Sequence, residues 1–99
     1  MTTDEMRQRV IGQMQGAAAL NLAYVGVVRG LFDAFADAAT VDEDAARAGV
    51  DPGYLRRWAE AAYAFEYLEE SGDRFRLTEL GRAFRPGAPG TFMPMAVQA

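Results

Sequence analysis

The sequence predicts a mainly α-helical protein, a winged helix-turn-helix with apolar dimerisation helices in front of it and a small β-hairpin as the wing. Three observations predict this fold: a long apolar helical segment, two short capped helices joined by a glycine-containing turn, and a pair of alternating segments around a tight turn. We divide the chain into N-terminal apolar helices (1–36), a winged-helix unit (37–85), and a linker with the start of a further element (86–99).

The first predicted helix spans Thr2 to Gln15, capped by Thr3 or Asp4. An apolar stripe runs along it, since Met6, Val10 and Met14 recur at a spacing of four residues. We expect Gly16 to break or kink the chain, and a second helical segment to follow from Ala17 to Phe35, interrupted at Gly30.

The segment from Ala17 to Leu31 has almost no polar face, and a helix that is apolar all round must be covered all round. It is either the central helix of the monomer core or the contact surface for a second chain. A chain of 99 residues buries a limited fraction of its surface, which favours the second interpretation. The predicted homodimer interface consists of Met14, Leu20, Tyr24, Val27, Val28 and Leu31.

Two short helices follow in the order expected of a helix-turn-helix. Thr40 and Glu43 form a capping box, and Gly49 ends the first helix. Asp51 caps the second helix, with Pro52 in the first helical position. The core-facing stripe of that second helix is Leu55, Trp58, Ala62 and Phe65.

A β-hairpin is predicted next, because residues 67–69 and 75–77 alternate apolar and polar side chains around Ser71-Gly72-Asp73. Thr78 can cap a last short helix from Leu80 to Phe84. Prolines and glycines from position 86 onward then break regular structure, and the apolar residues after them indicate the start of another element.

The charge distribution argues against nucleic-acid binding. The candidates for contacting DNA are Arg56, Arg57, Arg74 and Arg76. Residues 40–80, however, contain five Arg and ten Asp or Glu, a net charge of −5, whereas a DNA-reading module carries the opposite sign.

The composition lacks side chains that many catalytic sites use. The chain has no His and no Cys, which excludes Cys/His and Ser/His/Asp arrangements. The acidic run Asp42-Glu43-Asp44 fits the first turn of a helix better than a metal site, because consecutive helical residues do not converge. We therefore assign no catalytic, metal or cofactor-binding residue. No signal peptide or membrane span is predicted, so we expect a cytoplasmic protein.

Three blocks carry a resemblance to a known family: GLFDAF (30–35), TVDEDAARAGVDPGYLRRW (40–58) and YLEESGDRFRLTELGRAF (67–84). In order and spacing they resemble the N-terminal winged-helix dimerisation domain of class I S-adenosylmethionine-dependent methyltransferases, of the small-molecule O-methyltransferase type. The resemblance implies a domain that intertwines with its twin and precedes a Rossmann-like catalytic domain. It also implies S-adenosylmethionine as the cofactor of the parent enzyme, and a substrate pocket lined by Tyr24, Trp58, Phe92 and Met93.

Two departures from the family pattern matter. The acidic residue and G-x-G-x-G motif that hold the methyl donor are absent, so we expect these 99 residues alone neither to bind it nor to transfer a methyl group. The family also has a small residue and a Gly before the third block, where this chain has Phe65-Glu66. A Glu in the left-handed position would cost about 1 kcal/mol relative to Gly.

Two alternative functions stay open at this point. One is a winged-helix transcription regulator that reads DNA with the four Arg residues above. The other is a small-ligand binding or accessory module with an aromatic lining of Tyr24, Trp58, Tyr63 and Phe92.

Overall fold

The computed structural model describes residues 1–97, so the last two residues of the predicted segment 86–99 lie outside it. Within that range the protein is mainly helical and has one two-stranded antiparallel sheet. The elements in chain order are α1 (Thr3–Val28), α2 (Leu31–Ala34), α3 (Val41–Ala48), α4 (Pro52–Ala64), β1 (Leu68–Ser71), β2 (Arg74–Leu77), α5 (Glu79–Arg82) and α6 (Met93–Val97).

Helix α1 is continuous over 26 residues, so the predicted break at Gly16 is wrong. A single glycine costs a helix only about 1 kcal/mol, and the alanines that follow Gly16 are strong helix formers. The cap is Thr2, whose hydroxyl accepts a hydrogen bond from the Glu5 amide, rather than Thr3 or Asp4. The predicted interruption at Gly30 is confirmed, because this residue is left-handed with φ 71°.

The predicted N-caps of α3 and α4 are confirmed, but Glu43 does not complete the predicted capping box, since its carboxylate pairs with Arg74 at 3.2 Å. The Thr40 hydroxyl accepts from the Glu43 amide at 3.1 Å, and the Asp51 carboxylate accepts from the Tyr54 amide at 2.9 Å. Gly49 takes the left-handed conformation between the two helices, with φ 71°. These local bonds set the angle at which α4 leaves α3.

Helix α4 ends at the position where the sequence departs from the family pattern. Glu66 is left-handed, with φ 66°. Its amide donates to the Tyr63 carbonyl, and the Tyr67 amide donates to the Ala62 carbonyl, which is the bond pattern of a Schellman motif. A glutamate therefore occupies the strained position that glycine normally fills.

The predicted hairpin is confirmed, with Leu68 opposite Leu77 and Ser71 opposite Arg74. Ala39 extends it, since its backbone exchanges two hydrogen bonds with Phe75. The hairpin is thereby tied to the segment that precedes α3. The predicted cap of the helix after it is confirmed, because the Thr78 hydroxyl accepts a hydrogen bond from the Gly81 amide, but this helix ends at Arg82 rather than Phe84.

An aromatic cluster forms the centre of the core. The Phe32 ring stacks on Phe84 at 5.3 Å and meets Trp58 edge-on at 5.4 Å between centroids. Helix α1 approaches this cluster at Gly26, where a Cβ atom would lie less than 3 Å from both Phe32 and Trp58. Only the C-terminal third of α1 therefore belongs to the core. No helix in the described range is long and apolar enough to cross a membrane.

Candidate functional site

The N-terminal part of α1 projects away from the rest of the protein. Residues 3–18, which we call the arm, are exposed on every side. A helix of 26 residues is about 39 Å long, and the protein's longest dimension is 49 Å. The described chain thus offers most of the arm no packing partner, and only its last residues, Ala17 and Ala18, border other helices.

An apolar stripe runs along one face of α1, from the arm into the part that reaches the core. Consecutive members are four or six residues apart, and at 100° per residue all of them lie within about 120° of one another around the helix. The side chains of this exposed stripe are 40% to 66% accessible to solvent, and they are Met6, Val10, Met14, Leu20, Tyr24 and Val28.

The residues predicted for a dimer interface divide into two groups. Met14, Leu20, Tyr24 and Val28 lie on the exposed stripe, while Val27 is half-buried against the core. Leu31 requires a correction: its side chain is 0% exposed, because α2 turns it into the protein's own core. It is not available to a second chain.

Two grooves flank the C-terminal half of α1, each with a volume of about 360 Å³. The α1–α6 groove lies between α1 and α6. The α1–α4 groove has one wall from each of its helices and is lined by Ala18, Asn21, Leu22 and Val25 of α1 and by Tyr54, Arg57, Trp58, Ala61 and Phe65, on α4 or directly after it.

The four residues predicted to line a substrate pocket are not brought together in one cavity. Trp58 lines the α1–α4 groove, and Tyr24 lines the α1–α6 groove. Phe92 packs edge-on against Phe84 at 5.9 Å, and Met93 begins α6 as a half-buried residue.

The sequence analysis missed the face of α4 that lines the α1–α4 groove. Tyr54, Arg57, Trp58, Ala61 and Phe65 are spaced i, i+3, i+4, i+7 and i+11, which is one side of a helix. This spacing can be read from the sequence, but it is overlooked when Arg57 is treated only as a residue that contacts DNA.

Two of the four Arg residues considered for DNA contact are engaged within the protein. Arg74 pairs with Glu43 at 3.2 Å, and Arg76 pairs with Glu69 at 2.6 Å. A surface pocket between α4 and the hairpin also carries four acids beside a single basic residue: Asp42, Glu60, Glu70 and Asp73 beside Arg56. This face would repel a phosphate backbone.

One carboxylate is buried without a hydrogen-bond donor. Asp44 on α3 is 0% exposed, and neither of its oxygens has a hydrogen-bond partner. Burial raises its pKa to about 6, although the Arg47 guanidinium 3.3 Å away acts in the opposite direction. Across residues 1–97 no three acidic side chains converge as a metal site would need.

The comparisons with known proteins bear on the chain as a whole. No protein-family model matches it, and neither does any curated protein. Among solved structures, the N,N-8-amino-8-demethyl-D-riboflavin dimethyltransferase RosA from Streptomyces davawensis is 30% identical, with a TM-score of 0.84 over 97% of this chain and 28% of that one. Methyltransferase CalO6 is 31% identical, with a TM-score of 0.76 over 93% of this chain and 31% of that one.

An O-methyltransferase family protein from Burkholderia thailandensis shares the fold at 24% identity, with a TM-score of 0.76 over 97% of this chain and 28% of that one. The chain thus spans less than a third of the length of these three proteins. The resemblance predicted from the sequence is confirmed: over nearly its whole length, this chain is similar to a domain of solved methyltransferases, among them an O-methyltransferase family protein.

Proposed function

We propose that this chain is the dimerisation and substrate-lining domain of an S-adenosylmethionine-dependent methyltransferase that acts on a small molecule. Helices 1–36 mediate dimerisation, residues 37–85 form a winged helix-turn-helix that serves as scaffold, and residues 86–99 lead towards a catalytic domain. The similarity to methyltransferases supports this assignment, as does the acidic face that the scaffold presents where DNA would bind.

The exposed stripe of α1 is the observation that carries the dimerisation role. Helices in proteins owe most of their stability to the packing of an apolar face rather than to intrinsic propensity, so an apolar partner would stabilise the unpacked arm. Covering six half-exposed apolar side chains contributes on the order of 1 kcal/mol each. A two-fold axis places the same stripe on both chains, so each arm covers the other.

The described residues do not themselves fit the methyl donor. The only sheet of the described residues is an antiparallel hairpin. A Rossmann-like site for S-adenosylmethionine instead requires a strand followed by a glycine-rich loop. We assign no methyl-transfer step to these residues. In this proposal Tyr24, Trp58, Phe92 and Met93, which lie apart in this chain, contribute separate surfaces to substrate binding, and the methyl donor is held elsewhere in the enzyme.

Dimerisation is tested by sedimentation equilibrium on the wild type and two matched variants. Met14→Glu places a charge in the middle of the stripe on a side chain that contacts no core residue, so it should give a folded monomer. Gln8→Glu introduces a Glu on the opposite face of the arm and should leave the dimer intact. A monomeric wild type at high micromolar concentration, or a Met14→Glu variant that still dimerises, would contradict the proposal.

A further inference from the structure

We propose that the α1–α4 groove binds a small planar aromatic anion, whose acidic group pairs with Arg57. The inference does not rest on the proposed dimerisation or on methyl transfer. It concerns a groove beside the exposed stripe, and three properties of the groove support it: its aromatic surfaces, its charge and its size.

Rigid aromatic side chains form the floor and one wall of the groove. Trp58 is only 4% exposed, and its indole N–H donates to the Leu22 carbonyl on the opposite wall at 3.1 Å. Its ring is also stacked against Phe35, at 6.3 Å and 13° between planes. The Arg29 guanidinium lies 5.9 Å from the centroid of the Tyr54 ring. Because the fixed Trp58 ring is almost entirely covered, the aromatic surface open to a flat molecule is mainly that of the half-buried Tyr54 and Phe65.

The charge of the groove selects an anion. Arg57 is the one permanently charged side chain of its lining, which contains no carboxylate. Among the ion pairs of residues 1–97, none involves Arg57. A guanidinium offers a planar fork of donors that matches a carboxylate. The Asn21 side chain, on the opposite wall, provides a further polar group that can orient the ligand.

The size of the groove fits a small molecule. Its volume of about 360 Å³ lies at the lower end of the range of ligand pockets, about 300–1,000 Å³. Two fused rings fit this volume, with one side left in contact with solvent because the groove is open. A groove lined mainly by apolar groups with a few convergent polar ones is the usual composition of such sites.

The groove faces a different direction from the exposed stripe. At 100° per residue, the wall formed by Ala18, Leu22 and Val25 lies about a quarter turn around α1 from the line through Val10, Tyr24 and Val28. Met14, however, lies on the stripe one helical turn before Ala18, so the N-terminal end of the groove borders the stripe. We favour a small ligand over the arm of a second copy as the occupant because the lining carries the positive charge of Arg57, which none of the ion pairs of residues 1–97 engages.

The test uses 2-naphthoate as the anionic probe and 2-naphthamide as its neutral counterpart, each titrated into the 99-residue chain. Trp58 is the only tryptophan, so its indole N–H gives a single signal in the ¹H–¹⁵N NMR spectrum. That signal should shift and saturate with naphthoate, with a Kd in the high micromolar to millimolar range expected for so small a molecule. The amide should bind about tenfold more weakly, since it lacks a charge-assisted hydrogen bond.

Variants separate the roles of charge and shape. Arg57→Met should weaken naphthoate binding about tenfold and leave the amide unchanged, whereas Arg56→Met, outside the groove, should change neither. Ala61→Leu should fill the groove and weaken both probes. Equal naphthoate affinity in the wild type and Arg57→Met, or no saturable shift, would overturn the proposal. It would also be overturned if Arg57→Met altered the oligomeric state, because the groove would then be a contact between chains.

Discussion

Replacing Asp44 by Asn should stabilise the protein at neutral pH. The carboxylate is fully buried on α3, has no hydrogen-bond donor, and has only the half-exposed Arg47 as an opposite charge. A buried charge that is poorly paired is a net cost to the folded state. Asparagine keeps the shape and removes the charge, so the cost should disappear with little change in packing.

The magnitude follows from the pKa, which burial raises from 3.8 to about 6. At 1.36 kcal/mol per pKa unit, the folded state loses about 3 kcal/mol when Asp44 ionises. Because the folded pKa is the higher one, the native state binds this proton more tightly than the unfolded chain does. The contribution of Asp44 is therefore most favourable below about pH 4, and it is lost as the pH rises through about 6.

Urea unfolding followed by Trp58 fluorescence measures this effect. At about pH 8 the Asp44→Asn variant should be more stable than the wild type by about 3 kcal/mol, and the two should converge below about pH 4. Asp42→Asn is the matched control, since this exposed carboxylate lies two residues earlier on the same helix and should matter by only a few tenths of a kcal/mol. A difference between Asp44→Asn and the wild type that does not change with pH would refute the reasoning.

Three further outcomes are expected. Gly26→Ala should lower the free energy of unfolding, measured with urea, by about 1–3 kcal/mol, because the new Cβ meets Phe32 and Trp58. Gly12 has open space around it, so Gly12→Ala should instead increase the helix content measured by circular dichroism. Glu66→Gly should raise the thermal midpoint by relieving about 1 kcal/mol of left-handed strain; an unchanged midpoint would show that the Schellman turn is not strained. Duplex DNA should give no salt-dependent gel shift at low ionic strength, and a shift that weakens with salt would restore the regulator hypothesis.

Local signals in the sequence predicted the central part of the fold well. Thr40, Gly49 and Asp51 specify helix ends through their own hydrogen bonds or backbone angles, and these depend on nearby residues alone. The hairpin around Gly72 is specified in the same way, by a turn and by alternation. Glu66 shows that even a departure from the usual residue can leave the motif itself in place.

The features that the sequence could not settle depend on tertiary contacts. Leu31 and Val28 are both apolar and only three residues apart, yet one is buried and the other is 57% exposed. The left-handed turn at Gly30 separates them by redirecting the chain towards the core. Asp44 is another example, because no pattern in an acidic first turn distinguishes the carboxylate that will be buried. The α1–α4 groove likewise exists only because α4 lies beside α1.

Helix α1 thus carries two surfaces that can be tested independently. The stripe through Tyr24 and Val28 lies about a quarter turn around α1 from the wall of the groove, which faces Arg57. If dimerisation through the stripe and ligand binding in the groove are independent, Met14→Glu should abolish the dimer without changing the affinity for naphthoate. Arg57→Met should weaken naphthoate binding without changing the dimer. If both variants instead impaired both properties, the arm of a second chain would have to complete the groove, and the two sites would be one.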